Sequence, residues 1–139
     1  MKQASHRIQV RTRGKGLYEI TDQIAAWLAG QQIAQGLLTV FVQHTSASLV
    51  IQENADPDVV RDLKEFFARV APDAASWYAH TIEGPDDMSA HIRSALTATS
   101  LSIPVVAGRM ALGTWQGVYL FEHRSAPHTR TVVVHVIGE

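Results

Sequence analysis

Histidine is the residue type in this sequence that is best suited to chemistry, because seven imidazoles occur in a chain with no cysteine. The missing thiol excludes a disulfide framework, a cysteine nucleophile and a sulfur-ligated metal site. Imidazole titrates near neutral pH and also binds divalent transition metals. Any metal site would therefore combine histidine with carboxylate or amide oxygens.

Four of the histidines stand in contexts that favour a function. His44 and His123 each follow a strand-forming segment, where a sheet fixes a side chain and the adjoining loop leaves room for a ligand. His91 lies on a predicted helix with Asp87 four residues before it, a spacing that lets the carboxylate orient the imidazole. His80, in a long loop, is a second-tier candidate. The other three, His6, His128 and His135, are expected to be solvated or to project from a strand.

Two interpretations of these histidines remain open at this stage. His44, His91 and His123 could converge on zinc or another divalent ion and leave a coordination position free for substrate. No short local metal motif supports this, so the ligands would have to come from separate elements. Alternatively, His91 could be a core histidine satisfied by Asp87, and His44 could bond a turn formed by Thr45 and Ser46. His80 could be a loop residue that packs on the aromatic side chains before it.

Other reactive side chains give weaker signals. A hydrolase would use Ser46 or Ser48 as nucleophile, but neither lies in a Gly-x-Ser-x-Gly turn. Arginines near strand ends are stronger candidates for binding a phosphate, because a guanidinium holds phosphate with two parallel hydrogen bonds. They are Arg109, Arg124 and Arg130.

The elements that must position these residues follow from hydrophobic periodicity. About seven strands and three helices without regular alternation predict a single α+β domain over residues 1–139, a mainly antiparallel β-sandwich with about three helices packed on the outside. Segment 37–42 is apolar at every position except Thr39 and predicts a central strand buried on both faces. Strands are expected at 8–12, 17–20, 37–42, 47–52, 101–106, 110–112, 115–122 and 131–137.

The helices have recognisable start signals. Thr21 or Asp22 is expected to cap the first helix, and Gly30 to end it. Asp56 followed by Pro57 predicts the N-terminus of the second, whose apolar positions repeat at three and four residues. A third helix is expected over 89–98, after a loop over 72–87.

Composition excludes several classes of protein. A net charge of −1 provides no field for nucleic acid or anionic membranes. No segment approaches the roughly 20 apolar residues that cross a bilayer, and no apolar stretch follows the basic N-terminal residues, so a cytoplasmic location is expected. No phosphate-binding glycine loop follows a predicted strand.

Five ordered motifs resemble those of the YjbQ family, and together they span almost the whole chain. They are His44-Thr45-Ser46-Ala47-Ser48-Leu49, Glu53-Asn54-Ala55-Asp56-Pro57, Glu83-Gly84-Pro85-Asp86-Asp87-Met88-x-x-His91, Leu112-Gly113-Thr114-Trp115-Gln116-Gly117 and Glu122-His123-Arg124. The resemblance implies a β-sandwich-based α/β fold, a homotrimer, and a histidine-rich site for a divalent metal, zinc or magnesium. It also implies a secondary thiamine-phosphate synthase activity, which couples a pyrimidine diphosphate to a thiazole phosphate and releases pyrophosphate.

The motifs imply roles for individual residues, and so does the reaction, in which the negative charge of the departing pyrophosphate must be neutralised. Catalytic roles are predicted for Asp87, Glu122 and Arg124, contacts to a small phosphorylated metabolite for Thr45, Ser46, Arg109 and Arg124, and metal ligation for His44, His91 and His123. Two other hypotheses stand beside this enzyme: a ligand-binding module without turnover, and a structural trimer whose histidines line subunit contacts.

Overall fold

The computed structural model describes all 139 residues and confirms the predicted α+β class, with three helices and eight strands. The first strand is longer than expected, because it begins at Lys2 and not at Ile8. The elements, in chain order, are β1 Lys2–Arg11, β2 Gly16–Glu19, α1 Thr21–Ala29, β3 Gln35–Val42, β4 Ala47–Glu53, α2 Pro57–Val70, α3 Asp87–Leu96, β5 Ser100–Val106, β6 Arg109–Met110, β7 Gln116–Glu122 and β8 Thr129–Gly138.

The strands form two sheets in which all neighbours are antiparallel. One sheet has the order β1-β8-β3-β5-β6 and the other the order β2-β7-β4. Their apolar faces share one core, to which Leu38 and Val134 contribute from the larger sheet and Leu49 and Leu120 from the smaller. Since β7 and β8 lie inside their sheets, the segments that follow β7 and precede β8 are held in place on both sides.

The prediction that 37–42 is buried on both faces is wrong for this chain. Strand β3 does lie between β8 and β5, and Leu38, Val40 and Val42 point into the core. Leu37 and Phe41 point to the other face and are 43% and 42% exposed. The apolar run therefore reflects one core-facing side and one uncovered apolar side.

Helix α1 lacks the side-chain cap that was expected. Ile20 occupies the capping position, and Thr21 instead donates its hydroxyl proton to Glu19 at 2.8 Å and accepts the backbone N–H of Val118 at 2.8 Å. Tertiary contact with β7 thus replaces a local cap. Gly30 ends the helix as predicted.

Helix α2 begins as predicted, because Asp56 accepts the backbone N–H of Asp58 at 2.9 Å and Pro57 is its first residue. Its apolar face is only partly covered. Phe67 is buried against Phe121 in an edge-to-face contact, whereas Phe66 is 56% exposed. The helical spacing predicted the helix correctly but not how much of it would be packed.

The segment before α3 contributes directly to the site. Helix α3 starts at Asp87, two residues earlier than predicted, and ends at Leu96. The preceding loop is held by a hydrogen bond from the Tyr78 hydroxyl to the Pro72 carbonyl at 2.7 Å and by contacts of Asp73 with Lys15 and Ser89. These contacts fix the path of the loop up to the start of α3. None of the three helices combines the length and the apolar character needed to cross a membrane.

Candidate metal centre

Two imidazoles and one carboxylate converge at the N-terminus of α3. His80 Nε2 lies 2.7 Å from Asp87 Oδ2, and His91 Nε2 lies 3.0 Å from the same oxygen. The three ligand atoms lie within 4.8 Å of one another, and this is the one group of at least three histidine or acidic side chains with such a spacing. A single carboxylate oxygen is thus shared by two imidazoles.

Each member of this centre is placed by a different feature of the sequence. Asp87 is the first residue of α3, and His91 follows one turn later on the same helix face. His80 comes from the anchored loop seven residues before Asp87. Asp87 is only 2% exposed, while the His80 and His91 side chains are 35% and 32% exposed. The carboxylate is therefore buried beneath two imidazoles that face solvent.

Arg124 orients the Asp87 carboxylate through Oδ1, the oxygen that neither imidazole contacts. Its Nη1 donates to Asp87 Oδ1 at 2.8 Å, its Nε donates to Asp86 Oδ2 at 3.1 Å, and its Nη2 donates to the Glu83 carbonyl at 2.8 Å. A guanidinium has five N–H groups, and these contacts, with a longer one to Asp86, occupy most of them. Arg124 is therefore a positioning residue for Asp87, and little of it is free to bind a phosphate directly.

The hydrogen bonds of His91 determine its tautomer. Its Nδ1 lies 3.1 Å from the Thr45 carbonyl oxygen, which can only accept, so Nδ1 must carry a proton. In a neutral imidazole the Nε2 lone pair would then face the Asp87 carboxylate at 3.0 Å. That arrangement is repulsive unless a proton or a metal cation lies between the two atoms. Metal-binding histidines have the same feature, a second nitrogen that donates to a carbonyl or carboxylate.

The charge on Asp87 suits a cation. Burial alone would raise the pKa of this carboxyl, but the hydrogen bond from His80 and the charges of His91 and Arg124 outweigh burial and lower the pKa. Asp87 is therefore ionised at neutral pH. Two imidazole nitrogens and one carboxylate oxygen match the His₂-carboxylate set of catalytic zinc sites, and the exposed side leaves a position open.

His44 does not join this centre. Its Nε2 accepts the backbone N–H of Thr131 at 2.9 Å, and its Nδ1 lies 3.4 Å from Arg130 Nη1. The Nε2 lone pair is thus used within the chain, and the positive guanidinium beside the other nitrogen would repel a metal ion. Burial and the Arg130 charge also lower the pKa of His44 and favour the neutral ring.

His123 also lies apart from the centre. It is fully buried beside Phe121, with a ring-centroid distance of 4.4 Å, and its Nε2 lies 2.8 Å from the Ser48 hydroxyl. Burial and nearby Arg93 lower its pKa to about 3, so the ring is neutral. The single chain therefore does not bring together the three histidines that the sequence analysis proposed as ligands: His91 belongs to the centre, with His80 and Asp87 as its partners.

Glu122, predicted as catalytic, lies in a buried ion pair. It is 0% exposed, and Arg130 donates to its two oxygens at 2.8 and 2.5 Å. Thr12 donates its hydroxyl proton at 2.6 Å, and Arg130 also donates to Ser46 Oγ at 3.0 Å. With every lone-pair direction occupied, this carboxylate stabilises the fold and has no free oxygen for catalysis.

The remaining predicted residues are distributed around the centre. Thr45 contributes its carbonyl, which holds His91, and not its hydroxyl. Ser46 is buried and bonded to Arg130. Arg109 is exposed on β6, at the edge of the larger sheet, and makes no ion pair. In the sequence His80 ranks second because Tyr78-Ala79-His80 belongs to a loop that aligns less clearly with the family motifs; in the structure its ring contacts Asp87.

Comparisons with known proteins agree with the fold and the motifs. The family model described as UPF0047 protein YjbQ-like matches residues 6–139. UPF0047 protein sll1880 of Synechocystis is 55% identical over 99% of this chain and 94% of its own length, and UPF0047 protein YjbQ of Escherichia coli O157:H7 is 42% identical over 95% and 96%.

Solved structures show the same architecture. An uncharacterized protein of the YjbQ/UPF0047 family from Clostridium acetobutylicum superimposes with a TM-score of 0.87 at 34% identity, covering 95% of this chain and 99% of that one. A conserved hypothetical protein from Thermus thermophilus, TT1486, gives a TM-score of 0.85 at 37% identity over 95% and 99%. None of these names states an activity. The chain belongs to the YjbQ-like UPF0047 family.

Proposed function

We propose that this protein is a metal-dependent enzyme that acts on a small phosphorylated substrate at the His80–Asp87–His91 centre. The observation that carries the proposal is the His91 tautomer: its Nδ1 is committed to the Thr45 carbonyl, and its Nε2 faces an ionised carboxylate oxygen that His80 also contacts. Either a second proton on His91 or a metal cation where the three atoms meet would satisfy this geometry, and the convergence of His80 on the same carboxylate oxygen favours the metal.

The donor set favours zinc over magnesium. Imidazole nitrogens suit zinc, whereas magnesium prefers oxygen ligands and keeps several waters. A bound zinc ion would supply positive charge to a phosphate oxygen or a departing pyrophosphate. The chain's own residues keep the two imidazoles and the carboxylate fixed, with Arg124 and the Thr45 carbonyl holding Asp87 and His91 in place.

Thiamine-phosphate synthesis is the candidate reaction, and its support is the family resemblance of the motifs around these residues. That reaction needs neutralisation of the released pyrophosphate, which a cation at this centre would provide. Arg109 is free of ion pairs and remains a candidate phosphate contact. The residues that would hold the metal are His80, Asp87 and His91; Arg124 positions the carboxylate.

Metal analysis combined with turnover tests this function. Asp87→Asn should lower zinc affinity by more than the roughly 10- to 100-fold that loss of an outer hydrogen-bond partner produces, since it removes a ligand charge. Formation of thiamine phosphate from the two precursors should fall in parallel. Asp22→Asn is the matched control, because Asp22 is exposed on α1 and contacts none of the residues of the centre. Retention of zinc and activity by Asp87→Asn would contradict the proposal.

A non-catalytic, metal- or metabolite-binding trimeric module is the alternative, and one surface feature favours assembly. Leu37 faces Ile137 across the β3–β8 pair, Phe41 faces Val133, and this outer face has no helix over it. Leu37, Phe41 and Ile137 are all more than one-third exposed. Light scattering after size-exclusion chromatography measures the assembly, and Phe41→Lys should dissociate it. Ligand-induced stabilisation without turnover would select the binding module.

A further inference from the structure

A second cavity, of about 890 Å³, lies between α2, α3 and the β2–β7 edge of the smaller sheet. It shares no lining residue with the His80–Asp87–His91 centre. Its buried lining consists of Gly16, Phe121 and Arg93, while α2 and Lys15 contribute the rest. The cavity is therefore a separate place where a ligand could bind.

Arg93 is the most unusual residue in this cavity. It is 5% exposed, yet no carboxylate lies within ion-pair distance of its guanidinium. Its Nη2 donates to the Ala71 carbonyl at 3.0 Å, and its Nε has no hydrogen-bond partner. Buried charges are normally paired, because removing an ion from water without a partner costs several kcal/mol. Burial also lowers the pKa of Arg93, and the charge of nearby Asp73 opposes that effect.

A second unpartnered atom belongs to a ring that packs on Phe121, one of the lining residues. His123 Nδ1 and Arg93 Nε are the two buried side-chain nitrogen or oxygen atoms of this chain that lack a hydrogen-bond partner. The His123 ring packs on Phe121, which lines the cavity, and it is close enough to Arg93 to be affected by its charge. Buried polar groups are paired in the great majority of cases, so the exception that lines the cavity, Arg93, indicates a ligand site there.

The charges around the cavity are mainly positive, and two of them are not balanced. Arg61, Arg69 and Lys15 are each paired with a carboxylate, Asp58, Glu65 and Asp73 respectively. Lys64 and Arg93 line the cavity and make no ion pair, and the same holds for one carboxylate, the exposed Asp62. Two unpaired cations, one of them buried, against one exposed carboxylate still favour an anion over a cation or a neutral ligand.

We propose that this cavity is an anion-binding site that takes the phosphate group of a small molecule, with Arg93 as its buried contact and Lys64 as its exposed one. A guanidinium matches phosphate geometry through parallel N–H donors, and an ammonium group contributes charge from the rim. The site depends on no metal and is independent of the function proposed for the His80–Asp87–His91 centre.

Titration of inorganic phosphate into EDTA-treated protein at constant ionic strength tests the proposal. Calorimetry should show saturable binding, and the amide NMR signals of Gly16 and Phe121 should shift. Arg93→Met keeps an apolar stem and removes the charge, so it should weaken binding by about 10- to 100-fold, the effect of losing one or two charge-assisted hydrogen bonds. Lys64→Gln should weaken binding by about threefold or more.

Two controls keep this test decisive. Arg11→Gln removes an exposed cation outside the cavity and should bind phosphate like the unmodified protein. Asp87→Asn disables the proposed metal centre and should also bind phosphate normally, so the two proposals fail separately. No saturable binding, shifts confined to His80 and His91, or equal binding by Lys64→Gln would overturn the site. Because Lys64 is exposed, its variant decides the matter even where Arg93→Met does not fold.

Discussion

The His80–Asp87–His91 centre and the Glu122–Arg130 pair are built from similar residue types but differ in how completely their polar atoms are bonded. Glu122 is fully buried, and Arg130, Thr12 and two backbone N–H groups satisfy its oxygens. At the centre, Asp87 is also buried, but the imidazoles above it are about one-third exposed, and His91 Nε2 must carry a proton or bind a metal cation to face the carboxylate.

This difference separates a structural role from a functional one. A closed network stabilises the fold and resists change, because removing any member leaves an unpaired buried charge. A partly exposed, incompletely satisfied group can bind an external ligand. Residue type alone gave Glu122 and Asp87 the same predicted role; hydrogen-bond completeness distinguishes them and leaves Asp87 as the candidate.

Breaking the buried Glu122–Arg130 pair should change the free energy of unfolding more than any other substitution proposed for these two regions. Glu122→Gln leaves the Arg130 guanidinium buried without a counter-charge and should lower the free energy of unfolding by about 3–5 kcal/mol. Urea denaturation measures this change. The matched control is Glu65→Gln, which removes an exposed helical ion pair with Arg69 and should change stability by about 0.5 kcal/mol or less. A loss below about 1 kcal/mol for Glu122→Gln would remove the distinction between the two regions.

Metal-dependent stabilisation should depend on the centre and not on the buried network. Zinc at 100 times its dissociation constant should raise the free energy of unfolding by about 2.7 kcal/mol. His80→Gln should abolish this gain, whereas His44→Gln should keep it, because His44 already uses its Nε2 lone pair on Thr131. Thermal melting with and without zinc measures both. Loss of the gain in His44→Gln would instead support the ligand set predicted from sequence.

The pH dependence of stability should report the buried His123. Its pKa is lowered from 6.5 to about 3, so below pH 6.5 the unfolded chain binds a proton that the folded chain does not. Stability should therefore fall as the pH drops from 6.5 towards 3, by up to about 1.4 kcal/mol per pH unit from this residue. His123→Phe should flatten that slope between pH 6 and 4. An unchanged slope would show that His123 is not held neutral.

The elements of the fold were largely predictable, because each depends on local pattern. Asp56 and Pro57 specified the start of α2, and runs of strand-forming residues bounded by turns specified β7 and β8. The errors arose where distant contacts replaced local signals. Thr21 bonds the β7 backbone and does not cap its helix, and Phe66 contacts only the neighbouring Phe67 ring edge to face and stays exposed.

The candidate site was predictable only in its helical part. The four-residue spacing of Asp87 and His91 correctly indicated that the carboxylate contacts the imidazole. The third partner could not be read from spacing, since His80 reaches Asp87 through a loop whose path is fixed by Tyr78 and Asp73. His44 and His123 lie at strand ends as expected, but backbone and hydroxyl groups there already occupy their nitrogens.

The sequence alone determined the fold class, the family motifs and the pairing of Asp87 with His91, because periodicity and helical geometry are local properties of the chain. The tertiary structure decided which imidazoles share a point in space, which carboxylate is closed within an ion pair, and which buried guanidinium lacks a counter-charge. Those outcomes depend on distances between residues far apart in the chain, and sequence spacing does not encode such distances.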